Sequence, residues 1–174
     1  ADCNISEETL AWLLENSGDA PVFVDPVSAW KCVKIRGRLN KIHTLKPNRL
    51  EAETLSGITL SGRDDVAKVA AWFHENGLTR LVLSMGGDGV YYSHANGESG
   101  WSLPVKTQVI NVTGAGDAMM AGLVSCWMDG MSFIDSVRFA QGCSSMVLAC
   151  EYTNNPDLSV ENVTSLVENA ECLN

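Results

Sequence analysis

Short β-branched runs alternate with helical periods along nearly the whole chain, and that alternation constrains the fold more than any other feature. Pro21-Val-Phe-Val-Asp25, Lys41-Ile-His-Thr-Leu45, Arg80-Leu-Val-Leu-Ser84, Val90-Tyr-Tyr92 and Val105–Val112 read as strands. Helices are expected from a Ser6 cap to Gly18, near Ala29–Ile35, and over Arg49–Ser56 between Asn48 and Gly57. Ser61–Asn76 is the clearest helix, with Val66, Val69, Ala70 and Phe73 on one face and Gly77 closing it. Asp117–Met128, Ser132–Ala149 and Ser159–Ala170 follow. Such alternation predicts an α/β fold, a mostly parallel sheet covered by helices on both faces.

Composition narrows the partners. Twelve Lys and Arg against 21 Asp and Glu leave a formal charge of −9. That balance argues against nucleic-acid binding through phosphates and against a basic membrane-binding face. The length of 174 residues suits one domain with a real core. No apolar run approaches the ~18 residues of a membrane span. The N-terminus has neither the basic nor the apolar region of a signal peptide, and it lacks Met, as a processed or partial product would. The six cysteines form no Cys-x-x-Cys pair and no Cys/His cluster, so they are expected to be reduced core thiols of a cytoplasmic protein. His43, His74 and His94 are scattered and read as structural. Trp12, Trp72 and Trp127 sit at helical spacing and read as core.

The chemistry concentrates in Asn111-Val-Thr-Gly-Ala-Gly-Asp-Ala-Met-Met-Ala-Gly-Leu-Val124. A strand ends, a small-residue turn follows, and a helix starts at or near Asp117. Gly114, Ala115 and Gly116 let backbone N–H groups approach a ligand, and the helix N-terminus adds free donors. This is the physics of an anion hole for a phosphoryl group, with Asp117 placed to accept a proton. The plainer alternative is that Asp117 caps the helix and the glycines make the turn. No Gly-x-x-x-x-Gly-Lys-Ser/Thr occurs, and Met119 stands where a dinucleotide fingerprint needs its third glycine. Asp25 ends a strand where open α/β sheets bind ligands, with turn formation as its alternative role.

The stretch Asn111–Val124 resembles the signature of the ribokinase-like (PfkB) family of sugar and nucleoside kinases. Lys46-Pro-Asn48-Arg-Leu-Glu51 is similar to that family's Asn-x-x-Glu motif, and Ser84-Met-Gly-Gly-Asp-Gly89 to its glycine turn under the nucleotide. Phe139-Ala-Gln-Gly-Cys-Ser144 resembles the helix start beside the adenine, and the motifs come in the family's order.

The resemblance implies a ribokinase-like portion spanning 1–174 that carries the nucleotide site and lacks the N-terminal half and lid. It implies ATP-dependent transfer of the γ-phosphate to a hydroxyl of a sugar or nucleoside. Asp117 would be the base, and Gly114, Ala115 and Gly116 the hole. Asn48 and Glu51 would organise Mg²⁺ through water. Ser84, Gly86, Gly89 and Gln141 would line the nucleotide, and Asn111 and Thr113 would hold a monovalent cation such as potassium. Relatives often carry Asp at the position of Asn111, Thr at Val112 and Asn at Gln141. The isolated chain is expected to be inactive, and homodimerisation to belong to the longer protein. A non-catalytic nucleotide-binding module is the alternative.

Overall fold

The computed structural model describes residues 1–171, so Cys172 lies outside the described residues. The chain forms two compact units, Ala1–Trp101 and the residues from Ser102 onward. The first is built on a five-stranded sheet in the order β1 (Phe23–Val24), β2 (Thr44–Leu45), β3 (Arg80–Ser84), β4 (Val90–His94) and β5 (Ser99–Ser102). β1, β2 and β3 run parallel, with Val24 opposite Leu45 and Leu45 opposite Leu81. β4 returns antiparallel to β3, and Ala95–Glu98 turns into β5. The sheet is therefore mixed, for a local reason. Gly86 and Gly89 take φ of 59° and 94°, so the chain reverses directly after β3 with no crossover helix.

Helices α1 (Glu7–Asn16), α2 (Ala29–Cys32), α3 (Arg49–Ser56) and α4 (Arg63–Glu75) belong to this unit. Ser6 caps α1 by accepting the Thr9 N–H at 3.2 Å. Leu10, Leu14, Ile35, Leu45, Leu55, Val66, Val69, Phe73, Leu81 and Leu83 form its core. The expected helix near Ala29–Ile35 stops at Cys32 and continues as a 3₁₀ segment, Val33–Lys41. Trp12 is 68% exposed, which corrects its expected place in the core, while Trp72 packs edge-on against Phe73.

The second unit holds α5 (Ala115–Met128), α6 (Phe133–Leu148) and α7 (Val160–Glu171). A Cβ on Gly122 of α5 would lie 2.9 Å from the Ala140 Cα, so the glycine sets how closely α5 meets α6. Trp127 is also exposed, against expectation. The strand expected over Val105–Val112 does not form: the N–H groups of Ile110 and Asn111 both go to the Leu148 carbonyl, and Val109, Ile110 and Val112 face outward. Among the described residues, Cys3, Cys32, Cys126 and Cys143 are free buried thiols, each pushed by burial up to about 11. No described helix is long and apolar enough to cross a membrane.

Candidate functional site

At the carboxyl edge of the first unit, β1 and β2 finish in register, so the next residues, Asp25 and Lys46, leave the sheet side by side. The Lys46 Nζ lies 2.8 Å from Asp25 Oδ2, with the two side chains 7% and 17% exposed. The other Asp25 oxygen, Oδ1, accepts the Val27 N–H at 3.0 Å. Val27 takes φ 68°, an unusual conformation for a β-branched residue.

Two residues beyond Lys46, Asn48 caps α3 through a reciprocal box. Asn48 Oδ1 accepts the Glu51 N–H at 3.0 Å, and Glu51 Oε2 accepts the Asn48 N–H at 2.8 Å. Glu51 is buried, and its carboxyl is raised above its usual range. Burial is the main cause and the Asp25 charge adds to it, against the Asn48 amide and the Lys46 ammonium. β3 ends beside this box: the Ser84 N–H donates to the Pro47 carbonyl at 3.0 Å, and Asn48 and Ser84 form a parallel bridge. Gly86 and Gly89 frame the turn that follows. Asn48, Glu51, Ser84, Gly86 and Gly89 thus come together at the edge where open α/β sheets bind ligands. Asn48 Oδ1 keeps a second lone pair beyond the one that accepts the Glu51 N–H, and the Asn48 side chain also faces the Glu51 carboxyl. An all-oxygen donor set of this kind suits Mg²⁺ held through its water.

In the second unit, the N-cap of α5 is Gly114, at φ 85° and with no side chain to cap the helix. A Cβ there would sit 2.5 Å from the Thr153 carbonyl oxygen, so both backbone conformation and space demand glycine. The helix begins at Ala115, two residues before the expected start. Asp117 is therefore its third residue and not its cap; the carboxylate is exposed and bonds to no described residue. The first helical bond runs from the Ala118 N–H to the Gly114 carbonyl, leaving the amides of Ala115, Gly116 and Asp117 without a helical acceptor.

Asn111 braces this turn. Its Oδ1 accepts the Thr113 N–H at 2.9 Å, and its Nδ2 donates to the Glu151 carbonyl at 3.1 Å. Thr113 itself is exposed. Gln141, on α6, is buried, and both ends of its amide are engaged by Ser102: Nε2 donates to the Ser102 carbonyl at 3.2 Å, and the Ser102 hydroxyl donates to Oε1. The pairing of Lys46 with Asp25 escaped the sequence reading. The available signal was that each directly follows a short apolar strand, in chain segments that pair in parallel.

Among known proteins, the chain matches the family model for pfkB family carbohydrate kinases over residues 1–160. It is 82% identical, over all 174 residues, to the pseudouridine kinase of Escherichia coli K12, of which it covers 56%. It is 38% identical over 167 residues to the uncharacterized sugar kinase YeiI of E. coli K12, a match that takes in 96% of this chain and 46% of that protein. Of solved structures, a candidate sugar kinase from Clostridium perfringens superposes with a TM-score of 0.91 at 32% identity, over 97% of this chain and 53% of that one. Arabidopsis thaliana ribokinase, complexed with ribose and ATP, gives 0.82 at 20% identity over 96% of this chain and 54% of that one, a likeness of fold alone. The chain spans about half the length of the relatives it matches.

Proposed function

The chain belongs to the pfkB family of carbohydrate kinases, and from that premise we propose that it is the nucleotide-binding portion of a single ribokinase-like domain that phosphorylates pseudouridine. The γ-phosphate of ATP would pass to the ribose 5′ hydroxyl, giving pseudouridine 5′-phosphate and ADP. The observation that carries this reading is the head of α5: an uncapped helix N-terminus, framed by an obligatory glycine, with an exposed carboxylate that no described residue engages. The substrate rests on the 82% identity to a pseudouridine kinase.

Phosphoryl transfer asks mainly for alignment and charge stabilisation, since the transition state spreads charge over the transferred oxygens. The amides of Gly114, Ala115 and Gly116 supply donors for those oxygens, and they cost no reorganisation because the turn is already built. Asp117 takes the proton of the acceptor hydroxyl as its oxygen bonds to phosphorus and the bond to ADP breaks. Asn48 and Glu51 would hold Mg²⁺ through its waters, and the ion would supply charge neutralisation of the phosphates. Ser84, Gly86 and Gly89 follow the nucleotide along the β3 turn. Gln141, fixed by Ser102, shapes the wall beside the adenine. Asn111, through the free lone pair of Oδ1, and Thr113 would hold a monovalent cation such as potassium, which would supply positive charge beside the hole. The protein works in the cytoplasm, and a homodimer is a property of the longer protein. A chain of charge −9 binds ATP in this scheme because the positive potential is local backbone.

The test is coupled ADP release by the full-length gene product with Mg²⁺-ATP against pseudouridine, uridine, ribose and fructose. Turnover selective for pseudouridine is expected. Turnover on another acceptor alone would keep the mechanism and discard the substrate. Silence on all four would overturn the reading.

A further inference from the structure

The Asp25–Lys46 pair has no role in the chemistry above, yet its construction points to one. The Lys46 ammonium is more than nine-tenths buried, and Asp25 is its one hydrogen-bonding partner among the described residues. An ammonium has three donors, and buried donors in native structures find acceptors. A buried ion pair is also a poor way to stabilise a fold, because apolar side chains of similar volume usually serve as well or better. The pair lies at the edge where Asn48, Glu51 and Ser84 converge, two residues ahead of Asn48. Asp25 is doubly engaged there, with one oxygen on Lys46 and the other on the Val27 N–H of the left-handed turn after β1.

We propose that Asp25 is a positioning residue: it pins the Lys46 ammonium at the strand end so that the remaining donors meet the phosphate oxygens of the nucleotide. The inference rests on the kinase reading. Its plainer rival is that the pair merely ties β1 to β2. The two differ in what happens when both charges are removed together. A structural tie can be replaced by apolar contact, whereas an aimed ammonium cannot.

The experiment uses the full-length gene product, with the magnesium complex of a non-hydrolysable ATP analogue as the calorimetric probe, alongside thermal melting and ADP release. Asp25→Asn should weaken the analogue about tenfold, the scale of one charge-assisted hydrogen bond. Asp25→Glu should recover most of that affinity. The double variant Asp25→Asn/Lys46→Met should regain the melting temperature lost by Asp25→Asn but keep the weakened binding. Recovery of both melting and affinity in the double variant would overturn the proposal. So would a folded Asp25→Asn protein that binds like wild type. Should Asp25→Asn fail to fold, the glutamate and double variants decide by the same criteria. A wild type that turns over ATP while these variants bind normally defeats the positioning role alone. A wild type that neither binds the analogue nor releases ADP defeats the kinase reading beneath it.

Discussion

The edge of the first unit and the head of α5 in the second hold similar residue types in opposite states of engagement. At the edge, Asp25 and Lys46 pair with each other, Asn48 and Glu51 close a capping box, and Ser84 is tied to Pro47. At the head of α5, the cap is a glycine, the first amides have no helical acceptor, and Asp117 stands exposed without a described partner. The first region is prepared by side chains already engaged within the fold. The second is prepared largely by backbone, and its one carboxylate touches the fold only through the dipole of α5, worth about 0.3–1 kcal/mol. Substitutions at the edge should therefore register partly as stability, whereas substitution of Asp117 should register as rate.

The largest expected effect comes from breaking the backbone frame itself. Gly114→Ala forces a Cβ to within 2.5 Å of the Thr153 oxygen at φ 85°. Turnover should fall ~100-fold or more through loss of the hole, and strain of about 1–3 kcal/mol should lower the melting temperature. Wild-type turnover in that variant would mean the hole lies elsewhere. Glu51→Gln is next and sharpens the contrast, since glutamine can keep the box while removing the charge. The magnesium activation constant should rise about 10–100-fold, the scale of altered metal-site support, with no loss of melting temperature because a buried carboxylate disappears. Asn48→Ala removes the side-chain cap outright and should cost about 1 kcal/mol, visible as a lower melting temperature.

The smallest effect near neutral pH concerns the opposite end of β2. His43, beside Phe23, is held by burial and then by the Arg80 charge at about 4, against an ordinary 6.5. The unfolded chain takes up its proton first as pH falls. The contribution of His43 is thus complete above about 6.5 and is lost through the window down to about 4. His43→Phe should flatten the melting profile across that window without changing turnover, and an unchanged slope would show that other groups govern it.

What could be read from sequence divides along the same line as the two regions. The bounds of α3 and its Asn48 cap were legible because capping chemistry is local, whereas the return bond from Glu51 emerges only in the structure. The head of α5 was legible as a turn with an acid beside it, but its register was not. Sequence rules favour Asp as the N-cap, whereas Gly114 caps by conformation alone and moves the helix start to Ala115. That Asp25 and Lys46 each follow a short apolar strand was visible locally, but their pairing depends on the parallel register of strands distant in sequence, which no local pattern reports. The same gap explains Val105–Val112. Its β-branched pattern is genuine, but a strand also needs a neighbour, and here the Leu148 carbonyl takes the amides of Ile110 and Asn111 instead.

That Asp117 is kept free of side-chain partners for chemistry is tested most directly by one paired measurement: ADP release and melting temperature of Asp117→Asn beside wild type, in the full-length gene product. Turnover should drop by about 10²- to 10⁴-fold, the usual contribution of a positioned base, with stability lower by no more than the helix-dipole contribution of about 0.3–1 kcal/mol. A melting temperature lowered well beyond that of Asn48→Ala, or turnover that survives the substitution, would contradict it.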